Sequence, residues 1–75
     1  MMKITVKLFA TLRAGRFKAE SREYRPGTSV ADLAADLNIP REELALILIN
    51  GRSSQPDSEL GDGDTLSLFP PVGGG

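Results

Sequence analysis

A chain of 75 residues with neither cysteine nor histidine is one domain around one small core, and it has no thiol nucleophile, disulfide, zinc-ligand set or imidazole base with which to do chemistry. Its net charge of −1 conceals a split, since the residues through Arg25 sum to +5 and those from Pro26 onward to −6. The aromatics, Phe9, Phe17, Tyr24 and Phe69, do not interleave with a basic run, so solvated strand faces and a loop account for the basic half better than a nucleic-acid footprint does, while the acidic half is suited to steering a basic partner.

Lys3 to Phe9 alternates, with Ile4, Val6 and Leu8 apolar and Lys3, Thr5 and Lys7 polar, which is the period of a half-buried strand. Ala10 to Ala19 reads as a loop, and Glu20 to Arg25 as a short charged edge strand closed by the turn Pro26-Gly27. Thr28 or Ser29 caps a helix whose Val30, Leu33, Ala34 and Leu37 share one face, whose Asp32 lies in the first turn, and which Asn38 and Pro40 end. Beyond the polar turn Arg41 to Glu43 come six apolar residues, Leu44 to Ile49. They read as a buried strand rather than a short helix because Asn50-Gly51 supplies the positive φ angles of a tight hairpin. Arg52 to Leu60 is irregular, with room for a short edge strand, and Gly61-Asp62-Gly63-Asp64 is a turn. Thr65 to Phe69 is the last strand, with Leu66 and Leu68 on one face and Thr65, Ser67 and Phe69 on the other. This order predicts an α+β chain of the β-grasp type, a mixed sheet with one main helix on one face and the first and last strands parallel in its middle. The domain is expected over 1–69 and a flexible tail over 70–75.

That tail, Pro70-Pro71-Val72-Gly73-Gly74-Gly75, has no plausible buried role. Glycine loses the most backbone entropy on ordering, and three in succession offer no side chain in return. Without Cβ atoms the same backbone enters a narrow channel and presents a terminal carboxylate to another protein's active site. The two prolines remove two donors and fix two φ angles, which suits a stiff extended exit and equally suits plain strand termination. Met1-Met2-Lys3-Ile4 lacks the basic and apolar regions of a signal peptide, and no apolar stretch approaches the roughly 20 residues that span a bilayer, so a cytoplasmic protein without membrane contact is expected.

Several segments together resemble the MoaD/ThiS family of ubiquitin-like sulfur carriers: Lys3-Ile4-Thr5-Val6-Lys7-Leu8-Phe9-Ala10 with Arg13 after it, Pro26 to Leu33, Ile49-Asn50-Gly51, Asp62-Gly63-Asp64, and Leu68-Phe69-Pro70-Pro71-Val72-Gly73-Gly74-Gly75. The similarity covers nearly the whole chain. It is strongest to the MoaD branch, the small subunits of molybdopterin synthase, in the Phe-Pro-Pro-Val approach to the glycines and the long loop after the first strand. The resemblance implies a carrier rather than an enzyme. Gly75, preceded by Gly74, would be adenylated by a MoeB/ThiF-type adenylyltransferase that uses ATP, then converted to a thiocarboxylate by a sulfur donor system. A large synthase subunit would then receive the sulfur for a pterin. A terminal carboxylate, with a pKa near 3.5, is ionised at neutral pH and is a competent nucleophile for the first step. No cofactor and no metal bound by the chain itself is implied. Three glycines stand where that branch usually has two, and a triple also occurs in thiamine-type carriers. A thiamine-type carrier, a protein modifier joined through Gly75 to lysine amines, and a non-reactive interaction domain all use the same fold.

Two further expectations concern sites. Since Ile4, Val6, Leu8, Leu66 and Leu68 claim the helix side, parity leaves Phe9 and Phe69 on the open face beside the tail. There the resemblance makes them, with Pro70, Pro71, Val72 and Gly73, residues that contact the partner enzymes. The Asp62 and Asp64 pair lacks the spaced acidic ligands of a calcium loop and is read as a turn.

Overall fold

The alternating first segment is strand β1 (Met2–Leu8), and in a computed structural model, which describes residues 1–71, it is an inner strand of a five-stranded sheet, beside the central one. The other strands are β2 (Ala19–Tyr24), β3 (Leu46–Ile49), β4 (Arg52–Ser53) and β5 (Thr65–Phe69), in the order β2-β1-β5-β3-β4. β1 and β5 run parallel, with Val6 opposite Leu66 and Leu8 opposite Leu68, while every other pairing is antiparallel. This is the β-grasp arrangement expected from the element order. One face of the sheet carries Met2, Ile4, Val6, Leu8, Ile47, Leu66 and Leu68 into a core completed by Val30, Leu33 and Ala34 of helix α1 (Val30–Asp36) and by Leu12, Ile39 and Leu60. Full burial of a Leu or Ile side chain contributes about 1.5 to 3 kcal/mol, and Ile4, Leu8, Leu12, Leu33, Leu66 and Leu68 are all fully buried.

Both ends of α1 are closed by identifiable groups. At the start, Ser29 rather than Thr28 is the cap: its hydroxyl accepts from the Asp32 amide at 3.1 Å, and the Asp32 carboxylate accepts from the Ser29 amide at 3.1 Å. The next two amides, Val30 and Ala31, donate to the carbonyls of Ser58 and Pro56. The irregular segment before Leu60 therefore supplies acceptors that a helix start leaves wanting. At the far end Asn38 takes φ 59°, and the amides of Asn38 and Ile39 donate to the carbonyls of Ala35 and Ala34. Arg16 then covers what is left, donating from Nε to Leu37 O at 2.9 Å, from one terminal nitrogen to Asn38 O at 2.9 Å and from the other to Leu12 O at 3.1 Å. A cation bonded to the last carbonyls of a helix also meets the negative end of its dipole. Arg16→Ala is expected to cost about 2 kcal/mol and lower the melting temperature by about 10 °C, read by circular dichroism, whereas an unchanged melt would show that water replaces the clamp at no cost.

Three sequence expectations are corrected here. Ala10 to Ala19 is not all loop, because Ala10–Arg13 forms a 3-10 turn that buries Leu12 and Ala19 opens β2. Arg41–Glu43 is likewise a 3-10 turn. The run Leu44 to Ile49 is strand only from Leu46, and of its residues only Ile47 is buried, Leu46 being 42% exposed. A strand with the helix on one side buries alternate residues, whatever the hydrophobicity of the rest. The hairpin is as expected, with Asn50 at φ 53° and Gly51 at φ 82° joining β3 to β4.

Candidate functional site

Because β1 and β5 are parallel neighbours, both leave the sheet at the same end, and the residues that follow Leu8 and Leu68 meet there. Leu8 and Leu68 point into the core, so Phe9 and Phe69 point to the open face. Their rings stack with centroids 4.2 Å apart and planes 9° from parallel, while the Phe9 amide donates to Leu68 O at 3.2 Å and holds the two backbones together. An aromatic pair of this kind adds about 0.5 to 1.5 kcal/mol beyond its buried area. Neither ring belongs to the buried core.

The chain reverses immediately after Phe9. Ala10 takes φ 53°, a left-handed conformation that costs a non-glycine residue about 1 to 2 kcal/mol, and the 3-10 turn that follows returns Arg13 to the stack. Its guanidinium lies 5.5 Å from the centre of the Phe9 ring, and its Nε donates to Leu8 O at 2.8 Å. On the other side of β5, Leu46 stands opposite Phe69 and Leu48 opposite Ser67, so the open face is apolar from Phe9 across Phe69 to β3. Sequence reasoning placed Phe9 and Phe69 here but missed Leu46 and Leu48. It is the register with β5 that puts them on this side, since the six-residue apolar run has no polar alternation to show it.

The polypeptide continues from Phe69 through a half-buried Pro70 and an exposed Pro71. The expectations placed on Val72, Gly73, Gly74 and Gly75 lie outside the described residues. What the described residues provide is an apolar platform of two rings and two leucines, braced by an arginine, at the root of the glycine segment. It is suited to holding a partner surface and carries no acid-base pair. The groups whose pKa is shifted lie elsewhere: burial raises that of Tyr24, and the hydrogen bond from Arg22 Nε to Tyr24 Oη at 3.0 Å raises that of Arg22. With ion pairs from Arg22 to Glu20 and Asp36, both at 3.5 Å, these residues tie β2 to α1.

The carboxylates of the Gly61 to Asp64 turn are occupied by the fold. Asp62 accepts from the Lys3 amide at 2.8 Å, and Asp64 accepts from the Gly61 amide at 2.7 Å and from Asn50 Nδ2 at 2.8 Å. Among the described residues no group of three or more carboxylates is placed to hold a metal ion, and no helix is long and apolar enough to cross a membrane.

Comparison with known proteins adds a family. The model of the ThiS family matches residues 6–75. No curated protein matches the chain. Among solved structures, a protein from Pyrococcus furiosus described as a molybdopterin converting factor, subunit 1, is 32% identical, with a TM-score of 0.72 over 96% of this chain and 100% of that one. A complex of subunits 1 and 2 of the molybdopterin-converting factor from Helicobacter pylori contains a chain 26% identical, with a TM-score of 0.64 over 99% of this chain and 100% of that one. Small archaeal modifier protein 1 of Haloferax volcanii shares the fold, at 24% identity and a TM-score of 0.78 over 96% of this chain and 100% of that one.

Proposed function

The chain belongs to the ThiS family of ubiquitin-like sulfur carriers and modifiers, and from that membership we propose that it carries sulfur as a thiocarboxylate on Gly75 for the assembly of molybdopterin. The observation that carries this reading is the continuity of the family match through Phe69-Pro70-Pro71-Val72 to the three glycines, on a fold whose central strand ends at Phe69, just before that segment in sequence. The Pyrococcus and Helicobacter relatives support the molybdopterin branch and a large-subunit partner.

In this scheme the Gly75 carboxylate attacks the α-phosphate of ATP on a MoeB/ThiF-type adenylyltransferase, pyrophosphate leaves, and an acyl-adenylate forms. Hydrosulfide supplied by a sulfur donor system then displaces AMP and leaves the thiocarboxylate, whose soft sulfur is the nucleophile offered to the pterin precursor on the large subunit. The chain contributes the reacting terminus and the docking platform, with Phe9 and Phe69 at its centre and Pro70, Pro71, Val72 and Gly73 leading into the partner's channel. The catalytic groups belong to the partners.

Intact-mass analysis of the protein purified from its native cell tests this. A fraction is expected to carry one sulfur in place of one oxygen at Gly75. If the activating enzyme, ATP and a sulfur donor leave the mass unchanged while a known carrier is converted beside it, the carrier reading fails. Isopeptide-linked adducts in place of a thiocarboxylate would identify a modifier, and transfer of the sulfur to a thiazole precursor would identify a thiamine-type carrier.

A further inference from the structure

The charge split of the sequence acquires a direction once the chain is folded. Lys7, Phe9, Arg13, Lys18 and Ala19 line a surface groove of about 230 Å³ beside the Phe9 and Phe69 stack. Three of the five are cations and none is a carboxylate. Among the described residues every ion pair is made by Arg22, which β1 pairing places on the helix side of β2, and none reaches Lys7, Arg13 or Lys18. Arg13 is held by its bond to Leu8 O, and Lys7 stands opposite Ala19 in the β1 and β2 register. Three like charges gathered at one groove repel one another, and a partner that brings opposite charge relieves that repulsion.

We propose that this groove receives an acidic segment of the activating partner, with carboxylates meeting Lys7, Arg13 and Lys18 and an apolar side chain seated against Phe9 and Ala19. The inference rests on the carrier reading and gives the partner's chemistry at the platform's edge: the docking surface is basic, and the acidic half of the chain is not the half that steers. The groove does not favour nucleic acid, because its one aromatic ring is already engaged by Phe69 and by Arg13, which leaves little for a base to stack on. Electrostatic contacts at the edge of an interface act chiefly on encounter and on its salt dependence.

The experiment measures adenylation of Gly75 by the adenylyltransferase encoded in the same genome, over a range of chain concentrations and at two ionic strengths. Lys7→Glu is expected to raise the half-saturating concentration about tenfold at low salt, to leave the saturated rate unchanged, and to lose most of its effect at high salt. Arg52→Glu makes the same change in charge on β4, at the far edge of the sheet, and is expected to shift half-saturation less than twofold. Equal shifts for the two variants would overturn the proposal in favour of net charge alone, and a Lys7→Glu effect that survives high salt would overturn it in favour of a packing defect. Inhibition by a single-stranded oligonucleotide that Lys7→Glu relieves would overturn it in favour of nucleic acid. An unaltered chain that takes no adenylate overturns the carrier reading and this proposal with it, whereas normal adenylation of both variants overturns this proposal alone.

Discussion

Removal of Gly75 is expected to lower the single-turnover rate of adenylation about a hundredfold while folding and partner binding stay near normal. The new terminus is still a glycine carboxylate, so its chemistry is unchanged. Its position is not: an extended tail from Pro70 to Gly75 spans roughly 20 Å, and one residue fewer withdraws the reacting oxygen by about 3.5 Å. Misplacement of a reacting atom by about 1 Å already costs around a hundredfold in rate. The platform at the end of β5 sets the origin from which that reach is measured, because the Phe9 and Phe69 stack and the bond from Phe9 to Leu68 O tie the last strand residue to its neighbour. A residue added after Gly75 is expected to block reaction as well. Rates for the intact, shortened and extended chains at saturating partner decide the matter, and equal rates for the first two would show that the tail absorbs the difference.

Phe69→Ala and Phe9→Ala are each expected to weaken binding to the activating enzyme or to the large subunit by about 1 to 3 kcal/mol, or about 5- to 150-fold, the range for aromatic anchors at the centre of an interface. The rings touch each other, so the two losses of stability will not add. The mutual stacking of about 0.5 to 1.5 kcal/mol is internal to the chain, so its loss falls on folding, and the double variant is expected to lose less stability than the sum of the single variants by about that amount. Folding should suffer less than binding, since neither ring belongs to the buried core. Titration calorimetry on the folded fraction separates the two effects. If the variants unfold while the folded fraction binds normally, the rings serve the fold and not the partner.

The position of those rings was legible because β1 and β5 alternate strictly, with a polar residue between each pair of buried ones, and parity carries through to the residue after the strand. The helix start was legible in part: the pattern gave Thr28 or Ser29 as the cap with Asp32 in the first turn, while the choice of Ser29 and its reciprocal bonds with Asp32 appear only in the structure. The leucines of β3 were not legible. An apolar run of six gives no parity, and a strand whose open face is apolar looks like one buried on both faces. Arg16 falls in a stretch that reads as a loop because two of its three acceptors lie at the end of α1, more than twenty residues on, and the third on the turn before it, which no local pattern records. The 3-10 turn around the buried Leu12 escaped notice for want of any periodicity in four residues.

The parallel pairing of β1 with β5 also decides how the molecule bears tension. β1 enters the sheet at Met2 and β5 leaves it at Phe69, so a pull applied between the start of β1 and the glycine segment drags the two strands past each other along their length. The paired residues Thr5 to Leu8 and Thr65 to Leu68, with the flanking bonds from Thr5 N to Asp64 O and from Phe9 N to Leu68 O, then carry the load together instead of parting one by one. A machine that grips the tail and pulls against the opposite end meets the sheet in shear, its stiffest direction, so the segment proposed to thread into a partner follows a strand placed where the domain best resists being unravelled.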